Sequence, residues 1–171
     1  MMLEIFDDSY DLGRIIVKPL YFGLSVNIML PVGVLLVCYY LNNNHYIENR
    51  IGNFANTLFY VFGMLALAES GFALWWRYIL FRKPMIRRLE SFEHDFTEGL
   101  LSRSRLVFLI IAFISVYGYL YFFLTGRFQE AVFFVVLSFV VFQVARPRYG
   151  YVRKLIKYQK SLVDRGELLS S

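Results

Sequence analysis

The residue best placed to do chemistry is Glu69. It lies inside the long apolar run between Phe54 and Phe81, where an ionised carboxylate is costly unless it meets a partner or water. On a helix turning about 100° per residue, Gly63, Ala66, Ser70, Ala73 and Arg77 share one narrow stripe, and Glu69 sits at its edge, roughly 60° from Ala66. Small side chains in such a stripe let helix backbones approach closely. The acid and the helix-packing residues Gly63, Ala66, Ser70 and Ala73 are therefore expected to share an inward face.

Depth suggests partners for the acid. At a rise of about 1.5 Å per residue, Asn27 lies roughly 13 Å from Lys18, Ser115 about 15 Å from Arg105, Ser138 about 12 Å from Arg146, and Glu69 about 12 Å from Arg77. Glu69, Asn27, Ser70, Ser115 and Ser138 can thus occupy one mid-depth polar layer. Two chemistries fit: a proton or ion relay, or a protonated carboxyl hydrogen-bonded to Asn27 or a serine that pins helices together. A lone mid-span acid makes a thin relay, so the pin is the favoured expectation. Pro31 with Gly33 is expected to kink the first apolar run and free a backbone carbonyl near Asn27.

Other chemistry has less support. Glu90, His94 and Glu98 are spaced i, i+4, i+8, but metal sites draw convergent ligands from several elements, and this trio reads as a solvated helix face. His45 and Glu48 read as loop surface. No Ser or Cys has a base and an orienting acid at a motif spacing, no phosphate-binding glycine loop is present, and no histidine lies within an apolar run to ligate haem. Cys38 is the only cysteine, which excludes an intramolecular disulfide. No cofactor, metal site or catalytic residue is expected.

The elements that position these residues follow from composition. Of 171 residues, 58% are hydrophobic and mean hydropathy is +0.50, more than one soluble core can bury. Four runs approach the ~20 residues that span a bilayer: about 20–41, 54–81, 106–124 and 128–145. The expected fold is all-α, a single polytopic domain with four transmembrane helices in a bundle. Thr125-Gly126-Arg127 is so short a link that the last two helices must be antiparallel neighbours. The acidic N-terminus (Glu4, Asp7, Asp8, Asp11) does not resemble a cleavable signal, so the first run is expected to remain as an anchor.

Charge sets the expected orientation. All 18 Lys and Arg except Arg50 and Arg127 fall in or beside segments 1–19, 82–105 and 146–171, which places those segments and both termini in the cytosol by the positive-inside rule. A plasma (inner) membrane location suits this pattern. Arg77, beside Trp75 and Trp76, reads as an interfacial snorkelling residue. Arg82, Lys83, Arg87, Arg88, Arg153, Lys154, Lys157 and Lys160 are expected to meet anionic lipid headgroups, and the net charge of +5 needs no nucleic acid to explain it.

Two amphipathic cytosolic helices are expected. Met85, Leu89, Phe92, Phe96 and Leu100 recur at helical spacing between spans 2 and 3. After span 4, Val152, Leu155 or Ile156, Gln159 and Leu162 line one face of a basic helix suited to the headgroup layer, with a frayed tail from Gly166. The pattern favours a non-catalytic accessory subunit that packs with and stabilises a larger membrane complex, its partners the lipid bilayer and other membrane subunits or further copies of itself. The alternatives are a small proton- or ion-coupled transporter or channel using Glu69, and a membrane immunity or regulatory protein binding a pore-forming partner.

Overall fold

The computed structural model describes residues 11–47 and 51–169, the Leu89 side chain apart; Glu4, Asp7, Asp8, Glu48 and Arg50 lie outside the described residues. Of the described residues, 86% are helical, and none is in a strand. Four helices are long and apolar enough to cross a membrane: Leu12–Asn43, Gly52–Arg82, Phe92–Thr125 and Phe128–Ala145.

The first of these begins earlier than its hydropathy suggests. The Asp11 carboxylate accepts the Arg14 N–H at 3.1 Å and caps α1 (Leu12–Leu24), satisfying a donor that the first helical turn leaves free. Arg14 and Lys18 are therefore helical. A π-helical turn, Ser25–Met29, joins α1 to α2 (Leu30–Asn43), with the Leu30 N–H reaching the Ser25 carbonyl. The wide turn shifts the hydrogen-bond register just ahead of Pro31, where a proline interrupts the backbone ladder of a continuous helix. The proline is thus accommodated by a π turn just ahead of it, and the Tyr119 hydroxyl donates to the Pro31 carbonyl at 2.7 Å.

A short turn, Gly52–Phe54, leads into α3 (Ala55–Arg82). α3 ends because Lys83 precedes Pro84, which disfavours helical backbone at Lys83; Lys83 is extended, with φ −73° and ψ 151°. The separate amphipathic helix expected between spans 2 and 3 is not found. Met85 lies in a non-helical segment, Leu89–Ser91 form one 3-10 turn, and α4 runs unbroken from Phe92 to Thr125 through the expected boundary. The amphipathic stretch is the first turns of the third span.

α4 is the axis of the packing, touching α1, α2, α3 and α5. Its most apolar stretch is 50% buried, against 17% for the first and second spans, so those two spans leave most of their surface open. At Gly126 the chain takes a left-handed conformation (φ 70°) and its N–H returns to the Phe122 carbonyl at 2.7 Å. This tight turn sets α5 (Phe128–Ala145) antiparallel beside α4. The two backbones approach most closely at Gly118, where a Cβ would lie 2.6 Å from the Ala131 carbonyl oxygen. Gly23 plays a similar part for α1, lying against the Phe108 and Phe142 rings, which meet edge to face at 5.2 Å.

A second core closes the end of the molecule where Lys and Arg collect, called here the basic end. Ile15 and Ile16 of α1, Phe81 of α3, Met85 and Ile86 of the connecting segment, and Phe96 and Leu100 of α4 pack against Val152, Leu155 and Ile156 of α6 (Tyr149–Asp164). The apolar face of α6 is therefore covered by protein, and its exposed side carries Arg153, Lys154 and Lys157. Nor is the tail after Gly166 frayed as far as it is described: the Leu169 N–H donates to the Ile86 carbonyl at 2.8 Å.

Candidate functional site

The mid-depth polar residues do not join into one network. Glu69 is half-buried on α3 and lies near the Tyr117 hydroxyl of α4, a neighbour absent from the expected set. Phe62 lies beside the Tyr117 ring, with centroids 5.7 Å apart. The second carboxyl oxygen, Oε2, is buried and has no hydrogen-bond partner. A hydrogen bond between these two side chains in hydrocarbon would tie α3 to α4, a contact typically worth about 0.6 kcal/mol and at most about 1.7.

The other candidates are satisfied close to home. Ser70 Oγ donates to the Ala66 carbonyl at 2.6 Å, and Ser115 Oγ to the Ala112 carbonyl at 2.7 Å, each within its own helix. Asn27, only 1% exposed, sits in the π turn and donates to the Gly23 carbonyl at 3.2 Å, while its Oδ1 is buried without a partner. Ser138 does bridge helices, donating to the Ile111 carbonyl of α4 at 3.0 Å. These bonds hold turns and helix pairs, and no chain of them runs from Glu69 to either end.

The small-residue stripe of α3 lies as its spacing requires for Ala66, Ser70 and Ala73, all buried on the side packed against α4 and α5. Gly63 is different: a Cβ there would meet nothing within 4 Å. Arg77 reaches the basic end, but its guanidinium is turned under α6, 4.4 Å from the Tyr151 ring centre and 5.8 Å from that of Phe81, rather than out into a headgroup layer. Burial pushes the Tyr151 phenol up, with the Arg77 charge opposing the shift. The ring therefore meets the guanidinium as a neutral aromatic face.

Three residues whose anchoring role spacing did not reveal lock the basic end. The Arg103 guanidinium donates to the carbonyls of Leu80, Lys83 and Pro84, placing a cation at the C-terminus of α3, where the exposed carbonyls and helix dipole favour it. Asp95 Oδ2 accepts the N–H groups of Arg87 (2.8 Å) and Arg88 (3.2 Å) and the Ser91 hydroxyl (3.1 Å). Gln159, 1% exposed, accepts the Met85 N–H at 2.9 Å and donates to the Lys83 carbonyl at 3.1 Å. A charged or amide side chain anchoring backbone outside its own helix is invisible to periodicity. Gln159 alone had a clue, a polar residue on the apolar face of α6.

His94 and Glu98 are exposed and Glu90 belongs to the 3-10 turn; no group of three or more metal-ligating side chains converges among the described residues. Lys83, Arg87 and Arg88 line the segment joining α3 to α4, and Arg153, Lys154 and Lys157 are exposed on α6 with Lys160 half-buried beside them.

The fold and its polar pins define a multi-pass membrane protein. No protein-family model matches the sequence, and neither a curated protein nor a solved structure matches it.

Proposed function

We propose that this chain is a non-catalytic accessory subunit that packs against and stabilises a larger complex in a plasma (inner) membrane, with both termini in the cytosol and its basic end against the anionic headgroups of that leaflet. The observation that carries this reading is the outer face of α3. Val61, Met64, Ala68, Gly71, Phe72 and Trp75 fall on one side of that helix at helical spacing, and all are exposed. The helix packs against α4 and α5 only through its opposite side.

Transmembrane helices associate through close packing rather than hydrophobic expulsion, and small residues promote it. Ala68 and Gly71, flanked by large apolar side chains, offer a partner helix a shallow notch; a Cβ at Gly71 would meet nothing within 4 Å. Glu69 stands beside this face, near Tyr117 of α4. That favours a structural pin over a relay, because a relay needs a succession of exchangeable groups and the serines and Asn27 spend their donors on nearby backbone.

Photo-crosslinking in native membranes tests the proposal. A probe at Met64 or Phe72 is expected to capture one protein at a fixed ratio, identified by mass spectrometry after mild detergent extraction, while probes at Leu109 and Val140 on other exposed faces capture lipid. Capture of lipid alone at all four positions, or proton flux in proteoliposomes that Glu69→Gln abolishes, would replace this reading with lipid-facing packing or with transport.

A further inference from the structure

Where α3 ends and α6 crosses it, the surface carries a groove of about 220 Å³ lined by Tyr78, Phe81, Arg82, Tyr151, Lys154 and Tyr158. We infer that this groove is a binding site for an anionic phospholipid, its phosphate held between Arg82 and Lys154 and its glycerol and upper acyl chain lying on the aromatic wall.

Position, charge and shape agree on this ligand. Arg82 is the last residue of a membrane-spanning helix, so the groove lies at the depth where hydrocarbon gives way to headgroups. The lining carries two cations and no acid, leaving positive charge that a phosphodiester would neutralise. The Arg82 guanidinium lies 4.0 Å from the Tyr78 ring centre, which holds it at the groove, and its planar fork of N–H donors suits phosphate oxygens. The Tyr158 hydroxyl donates to the Arg82 carbonyl at 3.3 Å, tying the two walls together. Lys154 stands one helical turn before Tyr158 on the same face of α6. Three tyrosines with Phe81 make a wall apolar along its length and polar at its rim, as suits the membrane interface. A zwitterionic lipid brings its own cation and leaves the pair less completely neutralised.

The inference rests on the membrane placement proposed above and not on any partner subunit, so it is tested on the purified chain alone. Lipid retention is measured by native mass spectrometry, and thermal stability in detergent supplemented with phosphatidylglycerol, phosphatidylcholine or inorganic phosphate. Phosphatidylglycerol is expected to bind preferentially and to raise the unfolding temperature, and Arg82→Gln with Lys154→Gln to weaken that binding by about thirtyfold, the loss of two cations near an anionic lipid. Arg14→Gln with Lys18→Gln removes the same charge at the same end and is expected to leave binding within about threefold, a surface-wide electrostatic change being largely screened. Lys154→Gln alone, an exposed substitution that leaves Arg82 in place, serves if the double variant does not fold, and is expected to give an intermediate loss. Equal binding of both lipids, equal losses in the two double variants, or full stabilisation by inorganic phosphate would each overturn the site.

Discussion

Replacing Gly118 by alanine tests how α4 and α5 are held together. The added Cβ would sit 2.6 Å from the Ala131 carbonyl oxygen and 3.0 Å from the Phe134 Cβ. The first contact is to backbone, so no rotamer change relieves it, and α5 must retreat by about 0.7 Å to restore ordinary contact. Overpacking of this kind costs about 1–3 kcal/mol. Alanine also gains about 0.5–1 kcal/mol over glycine inside a helix, which would mask part of the loss. Gly63→Ala supplies the correction, because a Cβ there meets nothing within 4 Å and only the helix term remains. The stability difference between the two variants is therefore the packing term, about 1–3 kcal/mol in favour of Gly63→Ala. Helical circular dichroism during thermal or denaturing-detergent unfolding reads it directly. Two variants of equal stability would show that α4 and α5 do not approach as closely as described.

Two further outcomes follow from the polar anchors. Gln159→Leu leaves the Met85 N–H buried without an acceptor, a loss of about 1–3 kcal/mol; hydrogen exchange should rise at Met85 and along α6, while Tyr158→Phe, which removes only a longer exposed bond, leaves α6 protected, and an α6 equally protected in Gln159→Leu would contradict its anchoring role. A double-mutant cycle of Glu69→Leu with Tyr117→Phe should give a coupling of about 0.5–1.5 kcal/mol in unfolding experiments, and additive effects would mean that the two side chains do not pin α3 to α4.

The parts of this fold that hydrocarbon dictates are readable in the sequence. Four apolar runs become four long helices, and the stripe through Ala66, Ser70 and Ala73 turns inward because helical periodicity alone fixes which residues share a side. What could not be read depends on where neighbouring helices stand. Tyr117 was one aromatic among many on its helix until the rotation of α4 brought it to Glu69. Gly118 and Gly23 carry no mark distinguishing them from Gly63, although only the first two face a neighbour at close range. α4 starts well before the apolar run at 106–124, because Arg103 and Arg105 signal the end of hydrocarbon and a helix need not stop there. Chain direction, by contrast, was broken where local sterics demanded it, at Lys83-Pro84. The fate of the amphipathic face of α6 was undetermined for a different reason: an apolar stripe is equally well covered by lipid or by Phe81, Ile86 and Leu100, and the spacing of residues within one helix says nothing of which is nearer.

The uninterrupted course of α4 gives the molecule a mechanical character. Its 34 residues extend for about 51 Å, against roughly 30 Å of hydrocarbon, so about 20 Å of the same rod extends past the hydrocarbon, where Phe96 and Leu100 join the core that α6 closes. With no hinge between the immersed and protruding portions, a load on the outer stub is delivered as a tilt or rotation to the buried segment carrying Tyr117 and Gly118. Anything that grips the protruding stub therefore holds a lever whose other arm sits between α3 and α5.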